Sequence, residues 1–379
     1  MQDRALVAKV GRVLAHGKKR ARKFVRTLKL AKHRRRLRRT IEGLRRRGRR
    51  AGQSATLQLR KRAMRVRKRA RHLKLSADGL RIRASYHAHR KLLANRSSRN
   101  AYLRALPKLT PLQTRLVEEL KRDGIAATSF NELVVDDNLW RELRTDIDAF
   151  AAGVAAGLPV NRTKPRIKAD YLIRRHNTAE NRARAPAPWS AFPGNDPWVR
   201  LGVRPEILDI VNTYRGLWTK CLEFDQWYTV PFPDLQAPIG AQNWHRDDGD
   251  LGLVTLFVYF TDLDDGAGPL QFVSGSHQDG PLARLWPWTL FDQRFISAED
   301  VRRRVPDDAV KTMTGPAGLI VLADSSGLHR GGLARVRPRI MSYHVYASPA
   351  APCSSLRRRN FALDQLPPGI ADAARFALS

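Results

Sequence analysis

The spacing of apolar residues predicts three helices between positions 110 and 216. In LTPLQTRLVEELKRDG, leucine recurs every four residues, which places one apolar stripe along a helix. Thr110 can cap this helix, Gln113 can complete a capping box, and Gly124 can end the helix in a left-handed conformation. The same period predicts a second helix in 136–150 and a third in 205–216.

Beyond residue 220 the pattern changes to short runs of β-branched, aromatic and aliphatic residues separated by Gly, Pro, Asp and Ser. These runs predict strands at 221–230, 242–247, 253–263, 269–276, 318–324 and 339–348. Many short strands separated by turns are typical of a sandwich or barrel, here most simply a double-sheet jelly roll. The long stretch 278–317, rich in Trp and Pro, predicts a lid.

Together these elements predict a mainly β fold with flanking helices and a double-stranded β-helix, or jelly-roll, core. We expect the core domain to span 106–352. A basic arm, helical or partly disordered, precedes it in 1–105, and a tail with a short helix follows in 353–379.

The positive charge of the chain is concentrated in the arm. The whole chain has a formal net charge of +35, and residues 1–100 hold 36 Lys and Arg against 3 acidic residues, a net charge of +33. Leu and Val recur among these cations at roughly helical spacing, which favours an amphipathic helix on an anionic membrane surface. Binding to nucleic acid is the weaker hypothesis, because few aromatic residues could stack on bases. A solvated tail without a partner is the third hypothesis.

Cysteine content and hydropathy limit the cellular setting. Cys221 and Cys353 form no CxxC motif and no disulfide framework, which fits a reducing compartment. No apolar run reaches the roughly 18 residues that indicate a membrane-spanning helix. We therefore expect a cytoplasmic protein, peripheral at the membrane if the arm binds lipid.

The sequence QNWHRDDGDLG suggests a metal site. On a strand, residues two apart share a face, so His245 and Asp247 would present an imidazole and a carboxylate side by side. His329, just after the apolar run GLIVLAD, is the best candidate for a third ligand. Two histidines and a carboxylate on one face of an octahedron leave three positions open, an arrangement that suits Fe(II) in oxygenases.

Arg339 extends this hypothesis to a co-substrate. An arginine clamps a carboxylate with two parallel hydrogen bonds. A compound that chelates iron through its 2-oxo acid end presents a second carboxylate away from the metal, and 2-oxoglutarate fits that description. Asn243, on the predicted face of His245, could hydrogen-bond the cofactor or the substrate.

In this order, the motifs resemble those of the phytanoyl-CoA dioxygenase family of Fe(II)- and 2-oxoglutarate-dependent oxygenases, over residues 108–350. The matching features are the opening LTPLQ…ELKRDGIA, the H-x-D of His245 and Asp247, the stretch YFTDLDDGAGPLQFVSGSHQDG, and His329 followed by Arg339. The resemblance implies Fe(II) as the metal, 2-oxoglutarate and O₂ as co-substrates, and Phe257 beside 2-oxoglutarate.

The chain departs from the family pattern in a few places. Ser274 stands where the family usually has proline, and the spacing from His329 to Arg339 is about one residue short, so Arg337 is an alternative carboxylate clamp. The resemblance makes His277, in SGSHQDG, a structural histidine. Related halogenases have a small residue in place of Asp247, so its carboxylate favours hydroxylation.

The predicted function is hydroxylation of a substrate by an Fe(II)- and 2-oxoglutarate-dependent dioxygenase. Nothing in the sequence identifies the substrate, although the basic arm favours one that is anionic, lipid-linked or membrane-associated. The alternative is a catalytically silent jelly-roll binding module that the arm tethers to nucleic acid or membrane.

Overall fold

The computed structural model describes residues 95–158, 171–175, 192–234, 237–290, 292–351, 366 and 370–379. The chain divides into two units between Arg81 and Ile82, and all described residues belong to the second unit. The arm helices predicted before residue 95 lie outside the described residues.

The described residues contain eight α-helices: α1 (Arg96–Arg104), α2 (Pro111–Asp123), α3 (Phe130–Leu133), α4 (Asp137–Ala156), α5 (Pro197–Gly202), α6 (Pro205–Arg215), α7 (Ala298–Arg304) and α8 (Asp372–Leu378). Helices α2, α4 and α6 confirm the three helices expected from the apolar spacing. At the start of α2, Thr110 and Gln113 form the expected capping box, and Gly124 ends the helix with a φ of 81°. No described helix is long and apolar enough to cross a bilayer.

The described residues contain nine strands: β1 (Ile125–Ser129), β2 (Leu172–Arg174), β3 (Lys220–Thr229), β4 (Val254–Tyr259), β5 (Leu270–Val273), β6 (Val310–Thr312), β7 (Leu319–Asp324), β8 (His329–Gly331) and β9 (Arg339–Ala347). All of their pairings are antiparallel. They form a six-stranded sheet in the order β1-β7-β4-β9-β3-β2 and a three-stranded sheet in the order β6-β5-β8. This two-sheet architecture with flanking helices confirms the predicted fold class.

Alternation along the strands gives each face of the six-stranded sheet its own core. On β9, Ile340 and Tyr346 pack into the apolar cluster that the helices share with this sheet. Met341 and Tyr343 pack into a second cluster, which the two sheets share. Because successive side chains point to opposite faces, Arg339 lies on the same face as Met341 and Tyr343. A charged residue is thus directed into the space between the sheets.

Both ends of the described chain pack on this core. Ser98 Oγ, on α1, donates a hydrogen bond to Trp218 O at 2.5 Å. Near the C-terminus, Lys220 Nζ donates one to Phe376 O, on α8, at 2.7 Å. Helices α1 and α8 therefore pack on the same core as the sheets, within one unit.

The strand predicted at 242–247 is wrong. Gly240, with a φ of 57°, begins a 3-10 turn that runs to Gln242. This turn breaks the alternation that a regular strand would have, and His245 makes only an isolated bridge to His329. The prediction failed because the pattern of apolar residues in so short a run does not show whether a glycine adopts the positive φ of a turn.

The stretch 278–317, predicted to be a lid, contributes to the sheet at its end. It contains α7, a 3-10 turn at Asp307–Ala309 and strand β6. Strand β6 pairs with β5 and completes the three-stranded sheet. The part before β6 makes one isolated bridge, from Ile296 to Trp244.

His344 illustrates the tight packing between the six-stranded sheet and the helices. Its side chain is fully buried, and its ring stacks on Phe224 with centroids 5.3 Å apart. Its Nε2 lies 2.9 Å from Trp198 O, and since a carbonyl can only accept, this nitrogen carries the proton. Burial lowers the pKa of His344 to about 4, so the folded protein holds the ring neutral.

We expect His344 to make the fold sensitive to acid. Its pKa is lowered from 6.5 to about 4 on folding, so the unfolded chain binds an extra proton between these values. The stability that is fully present above pH 6.5 should fall as the pH drops towards 4, by up to about 3 kcal/mol. Chemical denaturation of the wild type and of His344→Gln at about pH 7 and about pH 5 measures this effect. The variant should lose less stability over that interval, and equal losses would contradict the assignment.

Candidate metal centre

Two backbone hydrogen bonds bring the segments of His245 and His329 together. His245 N donates to His329 O, and His329 N donates to His245 O, each at 2.9 Å. Asp247 N extends this contact by donating to Ser325 O at 2.8 Å. Side chains directly opposite each other in an antiparallel pair lie on the same side, and the two imidazole rings accordingly have centroids 4.3 Å apart.

The structure brings the three predicted ligands together. One ligand atom from each of His245, Asp247 and His329 lies within 4.8 Å of the other two. His245 Nε2 is 3.8 Å from Asp247 Oδ1. The two histidines are buried, while the Asp247 side chain is 35% exposed, so the cluster opens on one side. Across the described ranges, no other group of His, Cys, Asp or Glu converges in this way.

Backbone carbonyls place a proton on Nδ1 of both imidazoles. His245 Nδ1 is 2.8 Å from Asn243 O, and His329 Nδ1 is 3.0 Å from Gly327 O. Since a carbonyl oxygen can only accept a hydrogen bond, each Nδ1 carries the proton. In the neutral tautomer with the proton on Nδ1, Nε2 is the nitrogen that can ligate a metal, the arrangement that metal-binding histidines commonly have.

A tryptophan from the stretch 278–317 helps to position Asp247. Trp288 Nε1 donates a hydrogen bond to Asp247 O at 2.7 Å. With Asp247 N already bonded to Ser325 O, both polar groups of this residue's backbone are held. The carboxylate is thus presented from a backbone fixed on two sides.

The metal cluster lies in a cavity of about 480 Å³ that residues of both sheets line. Its apolar and aromatic lining includes Leu253, Trp227, Phe257, Tyr259, Leu270, Phe295, Met341, Tyr343 and Val345. Phe257, predicted to lie beside 2-oxoglutarate, is therefore in the same cavity as the metal cluster. Such a lining excludes water from the reacting centre and strengthens the electrostatic interactions inside it.

Arg339 enters this cavity with unpaired donors. Only 6% of the residue is exposed, and in the described structure its Nε and Nη1 have no hydrogen-bond partner. Burial lowers the pKa of Arg339, and the nearby Tyr259 and Tyr171 oppose that effect. A buried guanidinium without an anion is unfavourable, so this side chain is poised for a carboxylate.

Gly331 leaves the space that Arg339 occupies. A Cβ added to this glycine would lie 3.1 Å from Arg339 Nη2, closer than ordinary contact distance. The alternative clamp, Arg337, is half-exposed and pairs with Asp264 at 2.9 Å. It does not line the cavity. Of the two arginines, the structure brings only Arg339 to the metal cluster.

Asn243 is not brought to the cavity, in contrast to the prediction. Its Nδ2 donates to Gly240 O at 3.1 Å and so completes the 3-10 turn. Gln242, which a regular strand would have directed away, lines the cavity instead. Its Oε1 accepts from Ile239 N, and its buried Nε2 has no partner among the described residues. The turn at Gly240 exchanges the directions of the two side chains.

Two further residues in the cavity were not predicted to be functional. Tyr259 follows the face alternation of β4, and Tyr171 precedes β2. Tyr171 donates its hydroxyl to Ile239 O at 2.7 Å and thereby holds the start of the turn that carries Gln242. The position of Tyr259 could have been inferred from the sequence, because it lies two residues after Phe257 on the same strand and therefore on the same face. Nothing in the sequence around Tyr171 indicates that it lies in the cavity.

Two other polar residues have structural positions. His277 lies outside the metal cluster, where its Nε2 donates to Lys121 O at 3.0 Å, consistent with the structural role implied for it. Asp250 is fully buried and pairs with Arg215 at 3.3 Å, an ion pair that joins α6 to the loop after the metal ligands.

A comparison with protein families finds one match. Residues 159–335 match the family model described as phytanoyl-CoA dioxygenase (PhyH). The match contains the three residues of the metal cluster and confirms the resemblance inferred from the motifs. Together with the His–Asp–His cluster, it bears out the predicted cofactors, Fe(II) and 2-oxoglutarate. No curated protein matches the chain.

Several solved structures resemble this chain. The epimerase SnoN in complex with Fe3+, alpha ketoglutarate and nogalamycin RO is 16% identical over 69% of this chain and 91% of that chain, with a TM-score of 0.42. AviO1 from Streptomyces viridochromogenes Tue57 is 19% identical over 65% and 99%, with a TM-score of 0.42. EctD from S. alaskensis with bound Fe is 18% identical over 63% and 77%, with a TM-score of 0.39. At these scores the likenesses do not bear on the reaction or substrate.

We expect Asp247→Asn to weaken Fe(II) binding by at least about tenfold, because the neutral amide is a poorer ligand than the carboxylate. Asp248→Asn is the matched control, since Asp248 lines the same cavity but accepts a hydrogen bond from Gln293 N at 2.9 Å and lies outside the cluster. Anaerobic calorimetric titration of the full chain with Fe(II) gives both affinities. His245→Ala and His329→Ala should also bind iron weakly. Wild-type affinity in Asp247→Asn would show that the metal lies elsewhere.

Proposed function

We propose that this chain, whose residues 159–335 match the family model of phytanoyl-CoA dioxygenase, is an Fe(II)- and 2-oxoglutarate-dependent oxygenase that hydroxylates its substrate. The observation that supports this proposal is the convergence of four side chains in one cavity. His245, Asp247 and His329 offer ligand atoms to one metal, and Arg339 offers unpaired donors to one carboxylate.

The residues present fit iron and 2-oxoglutarate. Two neutral imidazoles and one carboxylate are the ligand set that suits Fe(II) where further coordination positions must stay open. The buried, unpaired Nε and Nη1 of Arg339 suit the second carboxylate of 2-oxoglutarate. When bound, iron and 2-oxoglutarate supply the oxidising chemistry, in which O₂ is reduced, 2-oxoglutarate becomes succinate and CO₂, and one oxygen atom enters the substrate.

The protein itself holds the metal ligands, orients the co-substrate and excludes water. The carbonyls of Asn243 and Gly327 hold the imidazoles with Nε2 directed to the metal position. Arg339 fixes the co-substrate at the opposite end, which leaves it one orientation. The aromatic walls of the cavity exclude water from the reacting centre, so that side reactions with solvent are suppressed. The carboxylate of Asp247 supports hydroxylation, since related halogenases have a small residue there.

The alternative, a catalytically silent binding module, is opposed by the same geometry. A module without a metal would bury two neutral histidines beside an aspartate and a buried arginine with no partner for two of its nitrogens. Buried polar groups without partners destabilise a fold. Groups of this kind are retained where a ligand satisfies them.

We expect Arg339→Gln to weaken 2-oxoglutarate binding by roughly 10- to 100-fold, because it removes two charge-assisted hydrogen bonds. The matched control is Arg337→Gln, which removes an exposed arginine outside the cavity and should leave the affinity unchanged. The measurement is the visible absorption that Fe(II) and 2-oxoglutarate develop together in the full chain under anaerobic conditions, followed by assay of succinate formation in air.

The possible outcomes separate three functions. Absorption in the wild type that His329→Ala abolishes supports the oxygenase. An unchanged affinity for 2-oxoglutarate in Arg339→Gln would show that Arg339 does not bind its second carboxylate. Iron binding by the wild type without absorption or succinate would point to a metalloenzyme that does not use 2-oxoglutarate. No iron binding, no absorption and no succinate would favour the silent binding module.

We also propose that the arm, residues 1–105, attaches the chain to an anionic membrane surface. The support is in the sequence: residues 1–100 have a net charge of +33, and apolar residues lie among the cations at helical spacing. Nucleic acid would be bound through the charge alone, because phosphate neutralisation needs no apolar face.

We expect the full chain to bind phosphatidylglycerol vesicles and to lose most of that binding when Val13, Leu14 and Leu28 are replaced by serine. Loss of apolar contacts should leave DNA binding unchanged, since DNA contacts depend on charge. Replacing Arg34, Arg35 and Arg36 by glutamine should weaken binding to both. Sedimentation with vesicles and a DNA mobility assay provide the measurements. Vesicle binding that does not depend on the apolar residues would contradict attachment by insertion.

A further inference from the structure

Arg174 stands at the edge of the six-stranded sheet and lines the cavity that holds the metal cluster. Strand β2 pairs with β3 so that Arg174 lies directly opposite Trp227. The guanidinium carbon of Arg174 is 4.4 Å from the centre of the Trp227 ring, a cation–π contact. This contact holds the long side chain against the cavity wall instead of leaving it extended in solvent.

The charge of Arg174 has no anionic partner in the part of the chain that the structure describes. Arg174 is half-buried, and among the described residues its guanidinium forms neither an ion pair nor a side-chain hydrogen bond. A guanidinium stacked on a ring keeps its in-plane N–H groups available, because the contact uses only its face. Arg174 therefore presents a planar set of donors to the cavity.

The acidic groups of the cavity are engaged elsewhere. Glu223 accepts a hydrogen bond from the Tyr343 hydroxyl at 3.4 Å, and Asp248 accepts one from Gln293 N at 2.9 Å. Asp247 belongs to the metal cluster. None of the three neutralises Arg174, so the cavity has a cation available for a ligand.

The position of Arg174 separates it from the co-substrate. In the sheet, Arg339 lies opposite Thr229, and Thr229 lies opposite Leu172, two residues before Arg174. Two strand spacings and two residues along the strand put the Cα atoms of Arg174 and Arg339 about 12 Å apart. On the proposed function, 2-oxoglutarate uses its two ends at the metal and at Arg339. It has no third charged group for Arg174.

We propose that Arg174 binds an anionic group of the substrate, a carboxylate or a phosphate monoester, whose remaining skeleton is apolar. This inference rests on the proposed function, which assigns Arg339 to the co-substrate and leaves Arg174 for the substrate. The apolar part would lie along the wall formed by Trp227 and Tyr343, whose ring centroids are 4.5 Å apart. Both residues line the cavity between Arg174 and the other strands of the sheet.

A different role for Arg174 would give a different result. Charged residues on edge strands prevent strands of other molecules from pairing with the sheet. Were this the whole role of Arg174, its charge would have no influence on which ligands the cavity binds. The two roles therefore differ in charge selectivity.

The test compares matched probes that differ in charge: 1-naphthyl phosphate, 1-naphthylacetate and the neutral 1-naphthylacetamide. Calorimetry with the full chain, loaded anaerobically with Fe(II) and 2-oxoglutarate, gives the affinity of each. We expect at least one anion to bind about tenfold or more tightly than the amide, as a charge-assisted hydrogen bond would produce. Arg174→Gln should abolish this preference while leaving the affinity for the amide close to that of the wild type.

Three further variants keep the test decisive. Arg174→Lys, which keeps the charge but not the planar donors, should retain part of the preference. Arg337→Gln is the matched arginine outside the cavity and should retain all of it. It also corrects for anions bound by the arm. Arg339→Gln should retain the preference too, because a different arginine binds the probe.

The proposal is overturned if the anions bind no better than the amide, or if Arg174→Gln keeps the preference. It is also overturned if Arg339→Gln rather than Arg174→Gln removes it. The affinity ratio does not depend on turnover. A chain that develops no absorption with Fe(II) and 2-oxoglutarate but still selects anions through Arg174 would refute the proposed function and leave the anion site standing.

Discussion

The backbone bridge between His245 and His329 is the interaction on which the candidate site depends. Two hydrogen bonds of 2.9 Å join segments that are far apart in the chain, and they put both imidazoles on one side. Each ring is then oriented by the carbonyl of the residue two positions before it, Asn243 or Gly327. Main-chain groups thus set both the position of the histidines and the ring nitrogen that carries a proton. A site built in this way is preorganised, because the fold itself forms it.

The pleat of the six-stranded sheet supplies the second constraint. Side chains on β9 alternate between the helix-facing core and the space between the sheets, so Arg339 is directed into the cavity by the same rule that directs Met341 and Tyr343. The rule also applies across strands, since Arg174 faces the cavity because its partner Trp227 does. A change of register by one residue would turn these cations into the helix-facing core, where burial would be prohibitive.

The sequence alone was sufficient where chemistry or periodicity is local. The capping box of Thr110 and Gln113 lies within one turn of a helix, and β9 is a long run of strand-forming residues. The pairing of His245 with His329 could be inferred only from the chemistry that three such ligands serve. The structure then placed these ligands together.

What the sequence could not predict depends on backbone conformation or on distant partners. The positive φ of Gly240 converts an expected strand into a turn, and this exchanges the roles expected of Asn243 and Gln242. Strand β8 has only three residues and exists because β5 pairs with it. Periodicity cannot reveal so short an element, since one alternation fits many structures.

The distribution of charge links the cavity to the rest of the chain. Outside residues 1–100 the chain is nearly neutral, with 34 basic and 32 acidic residues. An anion is therefore not attracted to the folded unit by net charge. Selection of an anionic ligand must come from the positions of individual charged side chains. In the described residues, the acidic groups of the cavity have donors or belong to the metal cluster, whereas the guanidinium groups of Arg339 and Arg174 lack an anion. The placement of these two guanidinium groups, rather than the overall charge, is therefore what would select an anion in this cavity.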